Sequence, residues 1–181
     1  MKPQCALVLF AASALCHAAE VSICYNWDCG AHATVTLNKT QMGQLQSLLV
    51  GAPGPGEERG AIAEAIGLIQ RFAGAQTPTW RDKGGNRADE GVDGRMDCID
   101  HSTNTTAYLL LFERQGWLKF HRAAEIASRS LLVFFHVHRS AVIEEIGSRR
   151  RYAVDTWFFD NGHPAVISSL DDWLHGDRPD D

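Results

Sequence analysis

The chain has 181 residues, a formal net charge of -5 and 45% hydrophobic residues, which suits one globular domain with a single core. This acidic balance argues against a protein that holds nucleic acid by phosphate neutralisation, and the lone basic cluster, Arg149, Arg150 and Arg151, reads as a charged hairpin turn. No apolar run reaches the roughly 18 residues that a bilayer crossing needs, so the chain is not expected to span a membrane.

In chain order, the first residues read as a cleavable export signal, because Lys2 precedes an apolar run at 6–15 that ends in small residues. Cleavage is expected after Ala18. A lipid anchor on Cys16 is disfavoured, since Leu15 before it is too bulky for such a processing site. The expected layout is a signal peptide at 1–18, one domain at 19–175 and a flexible acidic tail at 176–181. The mature protein is then periplasmic or extracellular. Loss of Cys5 and Cys16 leaves Cys24, Cys29 and Cys98. In an oxidising compartment Cys24 and Cys29 are spaced to close a disulfide that staples the N-terminal segment, which leaves Cys98 as the odd thiol.

Residues 33–37 alternate as a short strand, and Thr40 can cap a helix carrying Met42, Leu45, Leu48 and Leu49. A Gly/Pro run at 51–56 breaks that helix. The next helix places Ile62, Ala65, Ile66, Ile69 and Phe72 on one apolar face. Residues 77–94 turn to Pro, Gly, Asn and charge, which reads as a long surface loop of the kind that often carries function. Its acids, Asp82, Asp89, Glu90 and Asp93, could offer oxygens to calcium, but their spacing departs from the regular calcium loop, and solvated loop acids are the preferred reading. No other cofactor and no resident metal is expected.

A third helix opens at Asp97 and runs to about Gln115, with Gly116 as its stop. Strand character follows at 130–135 leading into His136 and His138, at 141–146 and at 152–159, with a hairpin turn at 147–150. Helices first and an antiparallel sheet afterwards define an α+β class.

Cys98 falls in the first turn of the third helix, where free N–H groups and the helix dipole favour a thiolate. Asp97 can cap that helix, although Asp97 and Asp100 also oppose a thiolate locally. A cation must outweigh them, and His136 or His138 supplies it. With the turn centred between Ser148 and Arg149, positions summing to about 297 face each other, so His138 comes within a few positions of Asp155 and one bulge aligns them. His136 is the alternative base; it shares the parity of His138 and could line the site instead. Cys98, His138 and Asp155 then form a triad in which imidazole moves the thiol proton and carboxylate orients the ring. Trp80 and Asn86, in the loop before the thiol, are candidates for the side-chain donor that steadies an oxyanion, although a packing or turn role is the preferred reading of each, and Trp157 is expected to cover the site or, by default, to pack in the core beside Asp155.

The string from Gly94 to Asp100 with Ala107, Tyr108, Leu109, Leu110 and Gly116 resembles the nucleophile helix of bacterial transglutaminase-like cysteine proteinases and the wider transglutaminase-like superfamily. Residues 138–144 and 152–157 resemble the strands carrying that superfamily's histidine and acid, in the same order, and the likeness covers roughly residues 60–160. It departs at Arg139, where the superfamily more often has a small or aromatic residue. The resemblance implies a papain-like fold and acyl transfer through a thioester, with either water or an amine as acceptor; a protein or peptide is the expected substrate, and a cell-wall crosslink is a further candidate. Two other readings stand beside it: a zinc site built from His136, His138 and Cys98 or Asp155, and an exported binding module that keeps the fold without turnover.

Overall fold

The computed structural model describes residues 18–130 and 137–179. Among them the chain is α+β, with helices α1 to α4 and two antiparallel sheets. The predicted signal peptide, the end of the tail and His136 lie outside the described residues. No helix among them is long and apolar enough to cross a membrane.

β1 (Ala19–Tyr25) pairs in antiparallel register with β2 (Ala31–Leu37), from Ala19 opposite Leu37 to Tyr25 opposite Ala31. The ribbon turns through Asn26, Trp27, Asp28 and Cys29, all at positive φ. A left-handed run of non-glycine residues is costly, and several ties hold it. The Cys24–Cys29 disulfide closes it, the Asn26 N–H donates to Arg95 O at 2.8 Å, and the Cys29 N–H donates to Asp100 Oδ1 at 2.8 Å.

α1 (Lys39–Leu49) starts one residue before the expected Thr40 cap. Asn38 is the cap, because Asn38 and Gln41 satisfy one another's backbone N–H groups in a capping box. α2 (Pro55–Gly74) begins inside the Gly/Pro run that was read as a breaker, since Pro55 stands where the missing N–H costs nothing. The long loop holds a 3₁₀ turn, Pro78–Arg81, and then α3 spans Cys98–Arg114. Gly116, at φ 68, ends the helix as read.

The second sheet has the order β3 (His121–Ser130), β4 (Val137–Glu145), β5 (Arg151–Asp155), β6 (Val166–Ser169), and α4 (Leu170–Leu174) follows it. The strand expected over 152–159 ends at Asp155. There Thr156 turns its hydroxyl to the helix side and the chain leaves the ladder. The main core joins Ile62, Ile66 and Ile69 of α2 to Tyr108, Leu109 and Phe112 of α3, and to Ala141, Ile143 and Val154 of the sheet. The opposite face packs Val142 and Ala153 against Leu170 and Trp173.

Asn104 ties the two halves together. Its Oδ1 accepts from the Cys24 N–H at 2.8 Å, and its Nδ2 donates to the Cys24 carbonyl at 2.7 Å. Both groups of Cys24 are buried with it, so Asn104→Ala should lower stability by about 2–4 kcal/mol through the orphaned pair. Urea unfolding monitored by tryptophan fluorescence measures that change.

Candidate active site

Asp97 caps α3 by accepting from the Ile99 and Asp100 N–H groups at 2.9 and 3.0 Å, while Asp100 Oδ2 accepts from the Asp97 N–H at 3.1 Å. This reciprocal box fixes Cys98 as the first helical residue. Its sulfur is part-exposed and lies 3.7 Å from the Val137 carbonyl, at the start of β4. Burial pushes Asp100 up to about 6, against the hydrogen bond from Cys29. The charge beside the thiol is therefore weakened below that pH.

His138 follows Val137 and points its Nε2 at Asp155 Oδ2, 2.6 Å away. That contact leaves Nδ1 free for the thiol. No bulge is needed to bring them together. Glu144 faces Arg151 and Ala141 faces Val154 without interruption, so facing numbers sum to 295 and not to about 297. His138 and Asp155 thus meet as diagonal neighbours on one face. The bulge in this sheet lies instead between β3 and β4, at Ala124 to Ala127.

Asp155 is almost fully buried and has other donors. The Trp173 indole N–H donates to Oδ2 at 2.9 Å and the Trp157 backbone N–H to Oδ1 at 3.1 Å. The His138 ring sits among Trp157, Phe158 and Trp173, with centroids 5.0, 5.9 and 5.7 Å away. Burial opposes its protonation, but hydrogen bonds with Asp155 and Cys98, and the charges of both, outweigh burial and raise its pKa above 6.5. Asp155→Asn removes the main support and leaves the burial, so the His138 titration should move down; the imidazole carbon and nitrogen shifts against pH read it directly.

Behind this cluster lies a second buried group that the sequence reading missed. Asp82, expected to be a solvated loop acid, is buried, because its carboxylate closes the loop onto α3. Asp82 Oδ1 accepts from the Met96 N–H at 2.8 Å, and Oδ2 lies 3.0 Å from His101 Nε2. His101 Nδ1 meets Thr156 Oγ1 at 2.9 Å, next to Asp155 in the chain. The other loop acids are dispersed. Asp89 faces Arg95 and Asn86, and Asp93 faces Arg81, and among the described residues none of the loop acids joins a convergent group of metal-ligating atoms.

A cavity of about 450 Å³ opens over the thiol, lined by Trp27, Asn86, Asp97, Cys98, His138 and Trp157 together with several arginines. Neither oxyanion candidate from the loop fits. Trp80 is 63% exposed and does not line the cavity, and Asn86 directs its amide N–H groups to Asp89 at 2.9 and 2.8 Å. Trp27 does line it, and its buried indole N–H has no partner among the described residues. An unpaired donor lining the same cavity as a thiol is of the kind that can steady an oxyanion. Trp27 went unseen because only the left-handed disulfide turn brings it here.

Among the described residues, the one convergence of metal-ligating atoms is Cys24, Cys29 and Asp100, and its two sulfurs are joined to each other. Comparison of the chain with protein-family models, with curated proteins and with solved structures finds no match.

Proposed function

We propose that this protein is an exported cysteine-dependent acyl-transfer enzyme, a thiol peptidase or amidase with a papain-like arrangement, acting through Cys98, His138 and Asp155. The observation that carries the reading is the meeting of a helix-start thiol with an imidazole already hydrogen-bonded to a buried carboxylate. Cys98 Sγ attacks the substrate carbonyl as its proton passes to His138, and the carbon–sulfur bond of a tetrahedral intermediate forms. Collapse breaks the bond to the leaving amine, which takes the proton from imidazolium. Water then adds to the thioester carbonyl as its proton passes to His138, and collapse breaks the carbon–sulfur bond, so that the acid leaves and the imidazolium returns the proton to Cys98 Sγ. Trp27 donates to the oxyanion in both halves.

The test is digestion of a pooled peptide library, with new termini read by mass spectrometry in the presence and absence of a chelator. Cleavage that survives the chelator and falls by at least about 100-fold in Cys98→Ala is the expected result. Cleavage retained in that variant, abolished by the chelator, or absent in the wild type counts against the proposal, the last outcome favouring a binding module.

A further inference from the structure

The cavity over Cys98 is basic in an acidic protein. Arg87, Arg129, Arg139 and Arg178 line it, whereas the whole chain carries a formal charge of -5. Among the described residues none of these guanidinium groups has a carboxylate within ion-pair distance, although Arg59, Arg81, Arg95, Arg122 and Arg149 all do. Asp97, the acid in the lining, is committed to capping α3.

Arg129 is the most telling of them. It is 5% exposed, stacks over the Trp173 ring at 4.4 Å, and uses Nη1 on the carbonyls of Trp173 and Asp177. Its Nε is buried without a partner among the described residues. Burial pushes its pKa down, the charge of Asp155 opposes that, and the like charge of Arg178 outweighs the opposing charge of Asp177. A buried guanidinium with an unused N–H edge is costly unless something anionic completes it, and that edge matches a carboxylate. Trp173 links this residue to the chemistry, because the indole under Arg129 also donates to Asp155.

We propose that the acyl donor taken by Cys98 carries a free carboxylate that docks on Arg129, with Arg178, Arg87 and Arg139 supplying the attracting field. The preferred substrate is thus an acidic peptide or amide, its carboxylate either a side chain or a chain terminus. This rests on the proposed function, since it names the substrate class of the same site.

Two alkylating agents of nearly equal size separate charge from thiol reactivity. Iodoacetate and iodoacetamide both form an Sγ–CH₂ bond as the carbon–iodine bond breaks and iodide leaves, and only the first carries a carboxylate. The ratio of their rates at Cys98 should exceed that of free cysteine by about tenfold, within the range that a lined cleft of one sign gives. It should fall at least about threefold in Arg129→Gln, and in Arg178→Gln, whose exposed site keeps the fold intact if the buried change does not. A fast iodoacetamide reaction with a ratio like that of free cysteine, or a ratio unmoved in Arg178→Gln, overturns this proposal alone. An iodoacetamide rate no faster than that of free cysteine overturns the thiol reading and this proposal with it. Protection of Cys98 from iodoacetamide distinguishes the two carboxylate sources: acetyl-glutamyl-alaninamide presents a side chain, and acetyl-glutaminyl-alanine a terminus. Protection by either one supports the proposal and names the source; protection by neither counts against it.

Discussion

Replacing His138 with alanine should slow the reaction of Cys98 with iodoacetamide at neutral pH by about 100-fold, the lower range of what a positioned proton acceptor contributes. The thiol sits at a helix start, but Asp97 and Asp100 bring negative charge to the same turn. The helix end alone contributes typically 0.3–1 kcal/mol, or up to about 2 in partly buried geometry, and nearby acids reduce that. On the proposed mechanism His138 is therefore the main group that acts on the thiol. Its own charge depends on Asp155, so Asp155→Asn should slow the reaction in the same direction by a smaller factor. Stopped-flow alkylation with residue assignment by mass spectrometry measures both, and equal rates for wild type and His138→Ala would contradict the pairing.

The second large effect concerns stability. Asp82→Ala should cost about 3–5 kcal/mol, the usual consequence of leaving one member of a buried ion pair alone. It also orphans the Met96 N–H just before α3. At roughly 2–4 °C per kcal/mol for a chain of this size, Tm should fall by about 10 °C, which calorimetry reads. The pair has a definite pH sign. Burial opposes the His101 charge, but contact with Asp82 and the charges of Asp82, Asp155 and Asp100 raise its pKa above 6.5. Its contribution is thus complete below the unfolded value of about 6.5 and is lost as pH rises through the higher folded value. Asp82→Ala should consequently lose less stability than the wild type over that alkaline rise.

The local features were readable from sequence because their causes are local. The cap at Asp97, the stop at Gly116 and the apolar face of α2 each rest on residues within a turn or two of one another. The hairpin at 145–151 was also legible, though its register was not, since an Arg-rich turn gives no signal that fixes the facing pairs to a residue. β3 was missed because its sequence, with Ala and Glu prominent and Ile126 its one large aliphatic residue, has little strand preference; pairing with β4 overrides that. β6 and α4 were missed because they are only a few residues long. The walls of the site were the least legible. Trp27 and Arg129 in the wall, and Asp82 and Trp173 behind it, come from four distant segments, and each has an unremarkable sequence context. Only the packing of α4 under β4 and β5, and the folding of the disulfide turn onto α3, brings them to Cys98.

The most direct test of the central claim is intact mass spectrometry of the protein during reaction with 4-nitrophenyl acetate. The account predicts one acetyl group on Cys98, removed by neutral hydroxylamine as a thioester is, longer-lived in His138→Ala once formed, and absent in Cys98→Ala. An acetyl group that resists hydroxylamine, lies on another residue, or forms equally in Cys98→Ala would contradict it.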